Sequence, residues 1–254
     1  MKKFAVLLSS ILIAGNIAYA DELDLSREAL ENATGLSLSY NASWSSHYVW
    51  RGESQSSKDM SPAIGVDLGH SSGLYLGAWT GSITNGTYGA EFDVYGGYAF
   101  DFGPLSFDIG DLYYLYPGES NEVQFNEYYL SLGTEIPLGM IAEDFSISPY
   151  VYLAYAPKWY GANTPDVFYT EVGVEASIPG TPFSLSYTFG NIDVDDLEGD
   201  AEKANTVDSW DYYYISLSFG EVLGLDTSIT YHDAPGYKAD GGQDGFFISL
   251  GHEW

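Results

Sequence analysis

From Leu36 to its last residue the chain alternates, in runs too long for an ordinary β-sheet. Leu36–Arg51 sets Leu36, Leu38, Tyr40, Ala42, Trp44, Tyr48 and Trp50 against Ser37, Ser39, Asn41, Ser43, Ser45, His47 and Arg51. A period of two marks a strand with one apolar and one polar face. Such a run far exceeds the ~5–6 residues usual for a strand. Tyr88–Phe102, Phe145–Pro157, Phe168–Ile178 and Phe183–Phe189 repeat the pattern. In a soluble sandwich the polar face would carry long Lys and Glu side chains; here it is small, acidic or tyrosine. That suits a barrel whose outside meets lipid and whose inside is wet. After residue 20 no apolar run approaches the ~20 residues of a membrane helix, so any span must be a closed barrel.

Twelve segments fit an antiparallel up-and-down transmembrane barrel, near 35–51, 62–70, 73–83, 88–102, 104–116, 123–136, 144–157, 165–178, 181–192, 208–220, 222–232 and 243–254. In the fifth, Gly110-Asp111 interrupts the alternation, which predicts a bulge. The connections alternate between short Gly/Pro/Ser turns and longer acidic loops, so each kind falls on its own rim. The connection Ile136–Asp144 is long for the short-turn rim.

The ends agree with export. Lys2 and Lys3, the apolar run Phe4–Ala14 and the small-residue site Ala18-Tyr19-Ala20 form a secretory signal peptide over residues 1–20. Residues 21–34, with helical character over Asp24–Ala33, are expected to be a periplasmic tail, and residues 35–254 the barrel. The last strand ends on Trp254, an aromatic that barrel assembly machinery is expected to read. Cleavage would leave six Lys+Arg against 36 Asp+Glu. A charge that negative repels nucleic acid, and the absence of cysteine removes thiol and disulfide chemistry.

On these strand phases Asp67, Glu91, Asp93, Glu127, Glu135, Glu171, Glu175 and Asp226 point inward, against one inward base, Arg51, with Lys158 near the outer rim. A charged tunnel of low dielectric concentrates counter-ions, so a cation-preferring lumen is expected; the bland alternative is that the carboxylates only bond one another or tyrosines. Arg51 is expected either to bridge the lumen to Asp67 or Glu91 or to cap its strand at the rim. Tyr95, Tyr129, Tyr150, Tyr152, Tyr169, Tyr212 and Tyr214 are inward too. They either guide sugars or nucleosides or, as is commoner in small barrels, partly fill the bore. Trp44, Tyr48, Trp50, Trp79 and Trp210, with Phe102 and Trp254 at the other end, read as interfacial girdles.

The stretch Tyr48-Val49-Trp50-Arg51-Gly52-Glu53-Ser54-Gln55, followed by Pro62-Ala63 and Ser72-Gly73-Leu74-Tyr75-Leu76-Gly77-Ala78-Trp79, resembles the TorF family of Gram-negative outer-membrane porins. The resemblance implies a barrel and a channel, with no solute attached.

Other chemistries are weaker. The acidic loop Asp193–Asp200 lacks EF-hand spacing and reads as solvated, with Ca²⁺ or lipopolysaccharide bridging as alternatives, so no metal site is expected. His47 and His232 point inward near the outer rim, where Ser45 is the one candidate partner for His47; no nucleophile elbow accompanies them. The expectation is therefore a non-enzymatic barrel without cofactor, a narrow channel for passive diffusion of small cationic or neutral solutes. Its partners would be outer-membrane lipid and lipopolysaccharide. The alternatives are a non-conducting structural or adhesive barrel and, less so, a lipid hydrolase.

Overall fold

The computed structural model describes residues 31–84, 89–118, 123–159, 165–194, 209–235, 237 and 243–254. The signal peptide, most of the N-terminal tail and most of the acidic loop Asp193–Asp200 lie outside them; residues 31–34 are helical. Strand β1 (Leu36–Ser45) is followed by two short strands, β2 (Val49–Trp50) and β3 (Glu53–Ser54). Then come β4 (Ser61–His70), β5 (Leu74–Ser82), β6 (Ala90–Phe102), β7 (Leu105–Leu115) and β8 (Phe125–Thr134). The short β9 (Ile136–Pro137) precedes β10 (Ser146–Ala156), β11 (Val167–Ser177), β12 (Ser184–Val194), β13 (Trp210–Val222), β14 (Leu225–Ala234) and β15 (Gln243–Glu253).

Twelve long strands, all but β2, β3 and β9, pair antiparallel with their neighbours, and β15 returns to β1 through Asn41↔Glu253 to Ser45↔Ser249. Tyr40 and Trp254 extend this seam by exchanging backbone hydrogen bonds of 3.1 and 2.8 Å. The sheet is a closed twelve-stranded barrel, which leaves no unpaired edge. Its outer wall exposes Leu36, Leu38, Ile64, Val66, Leu68, Leu76, Leu185, Phe189 and Ile248. A continuous apolar wall of this kind belongs against lipid. Among the described residues no helix is long and apolar enough to cross a membrane.

Two details depart from the sequence reading. The first strand stops at Ser45 instead of reaching Arg51. There the Ser45 hydroxyl donates to the His47 carbonyl at 2.7 Å and receives the His47 N–H at 3.3 Å, turning the chain into the lumen. The expected bulge at Gly110-Asp111 is absent, since β7 keeps continuous register with β6 and β8; the register shift lies between Ser218 and Glu221 of β13. The connection after β8 is long, as expected: Ile136 and Pro137 pair with Ile147 and Ser146, and residues 138–145 still form a loop.

Candidate functional site

The loop after β1 does not project from the rim. Val49↔Ser54 and Trp50↔Glu53 pair as a two-residue hairpin with Arg51 and Gly52 at its tip, at φ 48° and 84°. Positive φ at both central positions is what a tight type I′ hairpin turn demands. Residues 47–52 and 54–56 are buried, so the hairpin is a plug inside the long-loop half of the barrel.

Arg51 reaches across the bore. Its Nη1 and Nη2 donate to Glu127 Oε2 and Oε1 at 2.7 and 2.6 Å, a bidentate pair in which both side chains are essentially solvent-free. The guanidinium carbon stands 3.6 Å from the centre of the Tyr169 ring and 4.5 Å from that of Trp50. Tyr152 Oη adds a 2.7 Å bond to Glu127, and Trp210 Nε1 donates to the Arg51 carbonyl at 3.0 Å. The Gly52 N–H donates to Tyr214 Oη at 2.8 Å. The tip is thereby fastened to β8, β10, β11 and β13. Neither sequence expectation for Arg51 holds: its partner is Glu127, not Asp67 or Glu91, and it is no rim cap. The reach comes from the hairpin, which carries Arg51 off the wall.

Aromatic rings fill the space around the tip. Trp50, Tyr114, Tyr116, Phe125, Trp159, Tyr169 and Trp210 form a buried apolar cluster with Leu112, Ile192 and Ala234. Tyr48, Trp50, Trp79 and Trp210 therefore are not girdle residues. Tyr48 and Trp50 belong to the plug, and Trp79 and Trp210 take inward phases; Trp44, Phe102 and Trp254 do keep the outward phase.

Gly52 has no room for a side chain. A Cβ there would lie 2.7 Å from Ala234 Cβ and 2.7 Å from Tyr212 Cβ, on top of the left-handed φ. Gly52→Val is expected to undock the hairpin. Limited trypsin digestion should then cut after Arg51, a bond the unaltered protein shields; equal resistance in both would contradict this packing.

Beside and below the plug, tyrosines of the lumen are laid over glycines. Tyr75↔Gly97, Tyr95↔Gly77, Tyr129↔Gly110, Tyr150↔Gly173 and Tyr212↔Gly190 are directly opposed pairs, and a Cβ on any of these glycines would collide with the tyrosine. Each ring thus lies along the wall, across the neighbouring strand, and most of the phenols end on a carboxylate. Tyr95 Oη donates to Asp67 at 2.5 Å, Tyr75 to Asp108 at 2.6 Å, and Tyr150 and Tyr212 to Glu171 at 2.8 and 2.7 Å. The Tyr75 and Tyr129 hydroxyls meet each other. Tyr129 and Tyr212 belong to the buried cluster around the hairpin and Tyr95 and Tyr150 pack against it, so these tyrosines help to fill the bore. Gly190→Ala should push Tyr212 off Glu171 and cost about 1–3 kcal/mol in urea unfolding. Gly133→Ala, whose Cβ would meet nothing closer than 3.7 Å, should be nearly neutral.

The remaining inward carboxylates fall into two groups. Glu91, which receives Tyr48 Oη at 2.9 Å, and Asp93 are buried beside the plug. Asp67, Glu135, Glu175 and Asp226 are half-buried in the short-turn half, where Asn41 Nδ2 also bonds Asp67 at 3.2 Å. His47 and His232 are buried with ring centres 5.3 Å apart. Burial, His232 and Lys58 push the His47 imidazole down to about 4. Ser45 does not pair with that ring, since its hydroxyl is engaged with the His47 backbone; Ser54 Oγ is the ring's partner, 2.7 Å from Nε2.

A family model described as "Bacterial protein of unknown function (Gcw_chp)" matches residues 29–241, which takes in the plug and every strand except β15. The chain belongs to the Gcw_chp family. No curated protein matches it. Among solved structures it is similar to the NanC porin, with TM-score 0.52 and 13 % identity over 85 % of this chain and 98 % of that one. It is similar also to LpxR from Salmonella typhimurium, with TM-score 0.50 and 11 % identity over 85 % and 99 %. The KdgM porin in complex with disordered oligogalacturonate follows, at 0.48 and 9 % over 85 % and 97 %. Identities this low speak for the fold alone.

In this Gcw_chp barrel the sequence reading missed Asp108 and Tyr75. Leu105, Phe107 and Ile109 alternate cleanly, which sets Asp108 on the inward phase. Tyr75 carries the same inward phase as Gly77 and Trp79.

Proposed function

We propose that the chain is a bacterial outer-membrane channel, of the porin kind its hairpin motif resembles in the TorF family, that passes small cationic or neutral solutes and rests closed. The Arg51–Glu127 pair carries this reading. It neutralises the inward base and fastens a loop-borne plug, leaving Asp67, Asp108, Glu175 and Asp226 to set the field of the wider half. Withdrawal of the hairpin would open a solute path walled by aromatic and apolar side chains at the plug and by acid, serine and tyrosine beyond it. Anionic sugars lack a track of opposing bases there. In this reading residues 1–20 direct export and the long loops face the cell exterior. The apolar wall contacts outer-membrane lipid and lipopolysaccharide, and the Trp254 seam is what the assembly machinery engages.

A second reading has one observation in its favour: the packed long-loop half would also suit a barrel that conducts nothing. Planar-bilayer recording of the refolded protein under a KCl gradient separates the two. Openings that reverse near the K⁺ equilibrium potential support the channel. Anion preference overturns the assigned selectivity, and silence from folded barrels that lack the hairpin overturns conduction itself.

A further inference from the structure

His47 sits on the stem of the hairpin, two residues before β2, and His232 on β14, two residues before the Ala234 that walls in Gly52. Both rings are buried, at 5 % and 0 % exposure, and neither nitrogen of His232 has a hydrogen-bond partner among the described residues. A buried polar group left that way is destabilising, which a ligand would offset. Phe247 closes over both rings, with centres 6.5 Å from His47 and 5.9 Å from His232.

The rings make an edge-to-face contact whose spacing also admits two ligands on one ion. With a metal–nitrogen bond of ~2.0–2.1 Å and a ring nitrogen ~1.1 Å from its centroid, each centroid stands about 3.2 Å from a shared ion; at the tetrahedral angle the two centroids are then about 5.2 Å apart. The observed separation is 5.3 Å, with the rings inclined at 69°. Ser54 Oγ, 2.7 Å from His47 Nε2, supplies the outer support that metal-binding imidazoles ordinarily have. In the tautomer where Nε2 donates to Ser54, Nδ1 carries the lone pair a metal needs.

We propose that His47 and His232 form a binding site for a divalent transition-metal ion of the zinc type, which ties the stem of the hairpin to β14. Two neutral imidazoles suit Zn²⁺, Cu²⁺ or Ni²⁺ and discriminate against Mg²⁺ and Ca²⁺, which want oxygen. The site stands whether or not the barrel conducts.

The test is Zn²⁺ titration of the untagged barrel in detergent micelles against a chromogenic chelator, with heat-modifiable gel migration as the check of folding. One equivalent should bind, undisturbed by millimolar Mg²⁺. His47→Ala and His232→Ala should each weaken it about tenfold or more. Asp211→Asn, on the outer wall, should leave it unchanged. His232→Asn keeps a polar side chain at the position should the alanine variant fail to fold, and should weaken binding equally. Absence of saturable binding overturns the site. So does binding that survives both histidine changes in folded barrels, or that falls equally in Asp211→Asn.

Discussion

Arg51→Ala is expected to lower the unfolding free energy of the barrel by about 3–5 kcal/mol and to convert a mostly closed channel into one that opens often. The size follows from what is stranded. Arg51 is 2 % and Glu127 0 % exposed, and removing one partner of such a pair leaves a charge buried without compensation. Tyr152 still donates to Glu127, but a single phenol replaces a fork of two charge-assisted bonds. The way to relieve Glu127 is to let water in, and water enters where the hairpin tip had been. Arg51→Lys should fall between, because an ammonium offers no planar fork and stacks less well on Tyr169. The double change Arg51→Ala with Glu127→Gln should recover part of the stability while staying open. Urea unfolding and single-channel open probability measure the two effects separately. An Arg51→Ala barrel as stable and as silent as the unaltered protein would mean that the pair fastens nothing.

That prediction rests on a residue whose importance was legible and whose partner was not. Alternation alone places Arg51 inward, and it places Glu127, Glu171 and Asp93 inward too, since parity along a strand needs no knowledge of neighbours. Parity also misleads, because a two-residue turn preserves it: Tyr48 and Trp50 continue the beat of β1 while leaving the wall altogether. The break is written only in Ser45, whose hydroxyl turns the backbone, and in Gly52, whose left-handed turn position has no room for a side chain. Register is the other gap. The tyrosines were identifiable as lumen residues, but that each faces a glycine on the adjacent strand depends on how the strands slide, and no single strand encodes that. Once register is known, an apparent surplus of tyrosine and glycine becomes one repeated contact, in which a ring lies flat over a missing side chain and most of the phenols reach a carboxylate.

The same parity carries the remaining prediction, the loss of ion selectivity. Asp67, Asp108, Glu175 and Asp226 line the half of the bore that the hairpin leaves unfilled. Changing all four to amides in the Arg51→Ala background removes four formal charges and keeps oxygen acceptors for Tyr95 and Tyr75, so the wall has no reason to collapse. The reversal potential under a KCl gradient should then move from near the K⁺ equilibrium value to near zero. Conductance at about 0.1 M salt should fall severalfold, because there the Debye length of roughly 10 Å spans much of the bore; at about 1 M, with roughly 3 Å, the difference should nearly vanish. Asp111→Asn supplies the control: its side chain takes the opposite phase and is held by Asn126 on the outer face, through bonds of 2.9 and 2.8 Å. If Asp111 mattered as much as the four together, surface charge at the rims would govern the ions. If neither mattered, the field of the buried acids beside the plug, Glu91 and Asp93, would be the place where selection occurs.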